Sequence, residues 1–358
     1  MSVLRRVVVL LIVAASGSAI AFARYSALQE QNAALFERLQ RVHGLSQSQI
    51  AAVRQVFDHS GYIGQGNPAV THHPLTPQQC QQKIDAAGAN YDNASFEAIC
   101  KGKYMAPLYD PAKEKPQDAK ACIDQFEFPD IPCEYPVVWV RAREAAEICS
   151  AEGKRLCDAH EWEGACDGAL EPPDYRFDLA YGTPNEAVER MAAAHNAKYK
   201  GTARWSYGPE YEKGVCAADS TKDDTCNGGS WAECGSNTYP DGSFPACHSP
   251  LGVYDLNGNA AEHMNLPLNA SQMSSRGSTE LGVTEMKGSW FIFATTEAHE
   301  DDCRWRAKDW HPSTLMDEQS HRNYHLGFRC CADLGGTPEP EPTDGGASDA
   351  GMSGDAGG

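Results

Sequence analysis

Asp255-x-Asn257-Gly258-Asn259-x-x-Glu262 gathers side-chain oxygen donors around one glycine. Calcium takes about six to eight oxygens, many of them backbone carbonyls, so Asp255, Asn257, Asn259 and Glu262 are candidate calcium ligands. Asn-Gly is also a hairpin turn signal, and both readings stand on the same residues. A second polar run, His299-Glu300-Asp301-Asp302, could hold a divalent metal or an amine, or form a solvated loop. Trp290, His299, Trp305 and Arg306 could line a ligand pocket, with Trp310 nearby; the alternative is that the tryptophans are core. His72 and His73 point apart on an extended segment, and His311, His321 and His325 lack ligand spacing. Gly-x-Ser-x-Gly, His-Glu-x-x-His and phosphate-loop patterns do not occur in the sequence.

Sulfur is the other reactive element. The 14 cysteines lie between Cys80 and Cys331, and none forms a Cys-x2-Cys pair. An even number without metal spacing predicts up to seven disulfides and an oxidising compartment. Local spacing suggests closure of Cys80 with Cys100 and of Cys122 with Cys133. Cys216, Cys226, Cys234 and Cys247 staple a long polar region, with their pairing left open. Cys330 and Cys331 end a strand-like run from Tyr324, so they face opposite sides and tie that strand to earlier segments on both.

These residues need elements to position them. Arg5-Arg6, the apolar run Val7–Ala15 and Ala21-Phe22-Ala23 read as a signal peptide over 1–23. A retained anchor is the alternative, and the only route to a membrane. Both place the rest of the chain outside the cytoplasm: periplasmic, cell-surface or secreted. Residues 24–60 read as helical, with Leu28, Ala33, Phe36, Leu39 and Val42, then Ile50, Val53 and Phe57 behind Ser46, forming stripes expected to pack on the same chain. A connector follows over 61–120, holding Cys80 and Cys100. The main domain covers 121–334, and an acidic Gly/Pro-rich tail over 335–358 reads as disordered. Within the domain, strands are expected over Cys122–Phe128 and Pro136–Val140. Helices are expected over Arg141–Glu152 and from Asp158 to Cys166, the latter with Glu161 completing a capping box. Leu170–Gly242 reads as stapled surface loop. With 30 Lys plus Arg against 49 Asp plus Glu, the formal charge of −19 argues against a nucleic-acid partner.

Three blocks in order carry a resemblance. They are Pro136-Val137-Val138-Trp139-Val140 with Gly153-Lys154-Arg155-Leu156 and Glu161-Trp162-Glu163; Gly252 to Glu262; and Lys287-Gly288-Ser289-Trp290 with Gly327-Phe328-Arg329-Cys330. Over roughly Cys122 to Asp333 the chain resembles the formylglycine-generating enzymes, or sulfatase-modifying factors. The resemblance implies an irregular, loop-rich α+β fold like that of C-type lectins, with bound calcium at the Asp255–Glu262 loop. It implies disulfides Cys149–Cys330 and Cys166–Cys303. Cys157 and Cys331 are extra cysteines in two segments that would already touch, which suggests a third bridge. Catalytic members oxidise a substrate cysteine with copper(I) held by a close cysteine pair. Here Trp290 to Asp302, where that pair would lie, contains no cysteine. The expectation is therefore a ligand- or partner-binding pseudoenzyme without copper or catalytic residues. The alternatives are a family oxidase with a metal site displaced towards His299–Cys303, and an envelope component assembled through the opening helices.

Overall fold

A computed structural model of the chain describes residues 27–202, 204–227, 229–292, 301–308 and 313–335. The signal segment 1–23, the tail beyond Gly335, His299, Trp310 and His311 lie outside them. The chain opens with α1 (27–43) and α2 (Gln47–Ser60). Ser46 caps α2: its hydroxyl accepts from Gln49 N at 3.3 Å, and the Gln49 side chain accepts from Ser46 N at 3.0 Å. Leu35, Phe36 and Leu39 of α1 and Ile50, Val53 and Phe57 of α2 are buried beside Val137, Val140 and Phe328. Of the expected α1 stripe Leu28, Phe36 and Leu39 are buried, Val42 is half-buried and Ala33 is exposed, so the chain itself covers most of the two stripes.

Next come α3 (Pro77–Ala87), α4 (Ala94–Cys100), β1 (Met105–Leu108) and β2 (Ala121–Asp124). β2 is shorter than its alternating pattern suggests. Past Asp124 the amide of Phe126 bonds to Asp130 Oδ1, and that of Phe128 to Phe328 O, so no single neighbour continues the ladder. Pro136–Val140 is likewise not a strand. Val137, Val138 and Trp139 donate to Phe128, Gly64 and Asn323 in turn, three different segments. Helices α5 (Ala142–Ala151) and α6 (Ala159–Asp167) flank β3 (Arg155–Leu156), and Asp158 and Glu161 form the capping box of α6. The supposed loop Leu170–Gly242 contains a 15-residue helix, α7 (Pro184–Lys198), which buries Val188, Met191 and His195. Thr183 caps its start, with Pro184 at the first helical position and Glu186 completing a capping box.

The remaining strands are β4 (Ala261–Leu266), β5 (Val283–Lys287), β6 (Leu326–Phe328) and β7 (Cys330–Asp333). They form two small sheets, ordered β1-β2-β7-β3 and β5-β4-β6; the first is antiparallel throughout, and β4 and β6 run parallel. The closing strand β7 therefore lies between β2 and β3. Its pleat sends Cys330 into the core beneath α1, α2 and α5, and Cys331 into the core containing Trp162 and Cys157.

Seven disulfides join Cys80–Cys133, Cys100–Cys122, Cys149–Cys330, Cys157–Cys331, Cys166–Cys303, Cys216–Cys247 and Cys226–Cys234. The two local closures expected from spacing are replaced. β1 and β2 pair as a hairpin, which carries Cys122 to Cys100 at the end of α4, while Cys133 turns towards α3 and meets Cys80. Three bridges close separations of 181, 174 and 137 residues. On the chain-entropy model each long closure restricts the unfolded chain by roughly 5 kcal/mol, although nested bridges are not additive.

Candidate functional site

Arg329, the arginine of Gly-Phe-Arg, is fully buried between the two sheets. Its Nε and Nη2 fork onto the two carboxylate oxygens of Glu262 at 2.7 Å each. Nη1 donates to the carbonyls of Asp124 and Gln125, and Nη2 also to that of Tyr254. Trp162 Nε1 adds a bond to Glu262 at 3.1 Å. Burial disfavours the Arg329 charge, yet Glu262 raises its pKa above the ordinary arginine value. One cation thereby fixes the closing strand, β4 and the 254–255 turn against one another.

That turn is held by protein groups at every candidate calcium ligand. Asp255 Oδ2 accepts from Gly242 N at 2.6 Å, Asn257 Oδ1 from Ser206 N at 2.9 Å, and Asn259 Oδ1 from Tyr239 N at 2.8 Å. Glu262 is neutralised by Arg329. The four side chains serve different partners, so as a set they do not fit a calcium ion, which needs converging and uncommitted oxygens. Asp255 and Asn259 adopt φ 54°, and a Cβ on Gly258 would lie 2.6 Å from Ala217 O, so glycine is required there. Burial pushes the Asp255 carboxyl up to about 6 and raises those of Glu127 and Asp241.

A second buried network surrounds Glu163 of α6. Lys287 Nζ lies 3.0 Å from its Oε1, while Arg306 Nε and Nη2 lie 2.8 and 3.0 Å from its two oxygens. Arg306 also reaches Asp174, which His195 Nδ1 approaches at 3.2 Å. Burial alone would raise Glu163, but Arg306 and Lys287 hold its carboxyl well below the usual range. Arg306, expected in a ligand pocket, is therefore a core ion-pair residue, 1 % exposed.

Beside β5, Asp301 gathers three side chains. Its Oδ1 accepts from Ser289 Oγ at 2.6 Å and Asn257 Nδ2 at 3.0 Å, and its Oδ2 accepts from Trp205 Nε1 at 3.0 Å. Ser289 Oγ in turn accepts from Gly258 N at 2.8 Å. The acidic run is thus no solvated loop at Asp301, which is buried and raised in pKa mainly for that reason. Cys303 is fully buried in its bridge to Cys166.

Trp290 and Trp305 separate into two clusters. Trp305 packs near Ala261, Met286, Ala307 and Leu326. Trp290 joins an aromatic row, 4.2 Å from the His325 ring and 5.6 Å from Tyr324. Tyr324 meets Trp139, Trp139 meets Trp231 at 5.0 Å, and Trp231 meets Tyr62 at 5.4 Å. Arg322 lies 3.8 Å over the Tyr62 ring. Trp139 holds φ 60°, a left-handed conformation rare for a bulky residue, with its indole N–H buried and without an acceptor among the described residues. Tyr62, Trp231 and Trp290 retain partial exposure, so the row presents a ring surface beside Ser289.

Residues 68–334 match the model of the sulfatase-modifying factor enzyme 1-like domain, more than half of the chain. The chain belongs to the sulfatase-modifying-factor family. No curated protein matches it. Among solved structures, CarF is similar at 11 % identity and a TM-score of 0.31, over 64 % of this chain and 97 % of CarF. The α+β fold and many disulfides agree with membership of the sulfatase-modifying-factor family. Among the described residues, no helix is long and apolar enough to cross a membrane. Both α1 and α2 precede the matched region and act as an added brace over this family domain. Sequence reasoning did not find the roles of Trp139, Trp231, Tyr62 or His195. The capping box at Thr183 was a usable signal for His195; nothing local marks the aromatic row.

Proposed function

We propose that this chain is an exported sulfatase-modifying-factor protein that binds a ligand or protein partner and does not generate formylglycine. One observation carries the reading: all 14 cysteines are used in seven disulfides, and no free thiol remains. Copper(I) is a soft ion that this family's chemistry holds with paired thiolates, and a disulfide sulfur is not a thiolate. The donor set present does not fit that metal. The oxidase with a displaced site is disfavoured because Asp301, at the heart of that segment, already gives both oxygens to Ser289, Asn257 and Trp205. An envelope scaffold built through the opening helices is disfavoured because most of their apolar stripes is buried within the chain.

The surface that supports binding is the row Tyr62–Trp231–Trp290 over buried Trp139 and Tyr324. Tryptophan, tyrosine and arginine dominate binding hot spots, the two aromatics because each buries much area for few rotatable bonds. Export agrees with the disulfide content. The test is oxygen consumption by the copper(I)-treated protein with a cysteine-containing peptide, alongside thiol titration of the unreduced, denatured chain. The expected results are no turnover and no titratable thiol. Turnover, or a thiol traced to Cys303, would overturn the reading.

A further inference from the structure

A cavity of about 750 Å³ opens where three strands of the larger sheet end together, at the register row Leu108–Ala121–Asp333. That volume is ordinary for a small-molecule site, and the cavity lies apart from the aromatic row. Its apolar lining is Leu108 and Ala121, both buried, half-buried Leu170 and exposed Pro172. Its lining holds six carboxylates against three basic side chains, Lys113, Lys120 and Arg276. Two of those carboxylates, Glu161 and Asp333, are occupied by Arg155, and Asp110 is occupied by Lys113. Glu114, Asp118 and Glu171 are exposed, as are Lys113, which is taken up by Asp110, and Lys120, so the exposed lining keeps a carboxylate excess. Glu114 and Asp118 each give one oxygen to a loop amide, and Glu171 lies 3.8 Å from Arg304.

We propose that this cavity binds an organic cation with an apolar body, an aryl- or alkylamine, seated on the Leu108–Leu170 floor with its ammonium at the Glu114–Asp118–Glu171 rim. Apolar contact supplies the affinity, and the anionic excess at the rim, within a chain of charge −19, selects the sign. The same field disfavours phosphates and acidic peptides, including the sequence that follows Gly335, which carries Glu339, Glu341 and Asp344.

The test is calorimetric titration of the full chain with 4-phenylbutylamine, 4-phenylbutanol and 4-phenylbutyrate at low salt. The amine is expected to bind about tenfold more tightly than the alcohol, with the carboxylate weakest. The pair Glu114→Gln and Glu171→Gln should weaken the amine roughly three- to tenfold and leave the alcohol unchanged. Leu170→Trp should fill the floor and remove both; if that variant does not fold, the glutamine pair decides. Equal binding of amine and carboxylate, no binding of the amine, or unchanged amine binding by the glutamine pair overturns the proposal. Displacement of the amine by a peptide of residues 336–345 also overturns it, by making the tail the occupant.

Discussion

Replacing Arg329 with Met isolates what holds the two sheets together. The substitution keeps an unbranched apolar stem and removes the fork onto Glu262 together with three bonds to carbonyls. Trp162 remains as a neutral donor to Glu262, so the carboxylate stays buried beside one hydrogen bond and no cation. Breaking a buried pair by removing one partner costs about 3–5 kcal/mol, and the orphaned carbonyls place this site at the upper end. With a urea slope of about 3 kcal/mol per M, the unfolding midpoint should fall by about 1–2 M. Equilibrium urea unfolding of the oxidised protein, followed by tryptophan fluorescence, reads this directly. The pH dependence adds a signature that general damage would not give. Burial already raises the Glu262 carboxyl with Arg329 in place, and removing the cation raises it further above its unfolded value. The added cost should therefore shrink as pH falls from 7 to 5, where the carboxyl folds in protonated form. The double variant Arg329→Met with Glu262→Gln should recover about 1–2 kcal/mol at pH 7 and lose that pH dependence. A single-variant cost below about 1 kcal/mol, or a cost independent of pH, would refute the assignment of Arg329 as the joint between the sheets.

Four further outcomes follow from the same structure. Glu285 and Glu152 are pushed up to about 7 by burial, so their contribution is complete below the unfolded pKa near 4.3 and is lost as pH rises through about 7. Thermal melts should therefore show stability rising from pH 8 to 5, and Glu285→Gln should flatten that slope. Glu163 and Asp174 are held low by their cations, so their contribution should disappear only in strong acid, below about pH 4. Chelation should leave the melting temperature unchanged, because the oxygens of the Asp255–Glu262 turn already serve protein donors; a clear drop with EDTA, restored by calcium, would contradict that account. Trp139→Asn should relieve roughly 1 kcal/mol of left-handed strain but lose about 3 kcal/mol of aromatic packing, for a net loss near 2 kcal/mol by denaturant unfolding.

Much of the frame was legible in the chain itself. The capping boxes at Ser46 and at Asp158–Glu161 depend on side chains three residues from the helix start, so local sequence announces those helices. The alternation at Cys330-Cys331 determined that the two sulfurs leave opposite faces, because a strand's pleat has a period of two. The absence of cysteine from Trp290 to Asp302 is likewise a fact of sequence.

What the sequence alone could not decide were matters of partner choice. Cys80 was near Cys100 along the chain, yet the β1–β2 hairpin brought Cys122 to Cys100 and left Cys133 for Cys80. Asp301 belonged to a charged run but became a buried acceptor, because Ser289, Asn257 and Trp205 arrive from three other segments. Arg306 could not be distinguished from a surface ligand residue until α6 placed Glu163 beside it. In each case residue type fixed what a group is able to bind. Only the packing of distant segments settled which partner reached it first and whether water remained as a competitor.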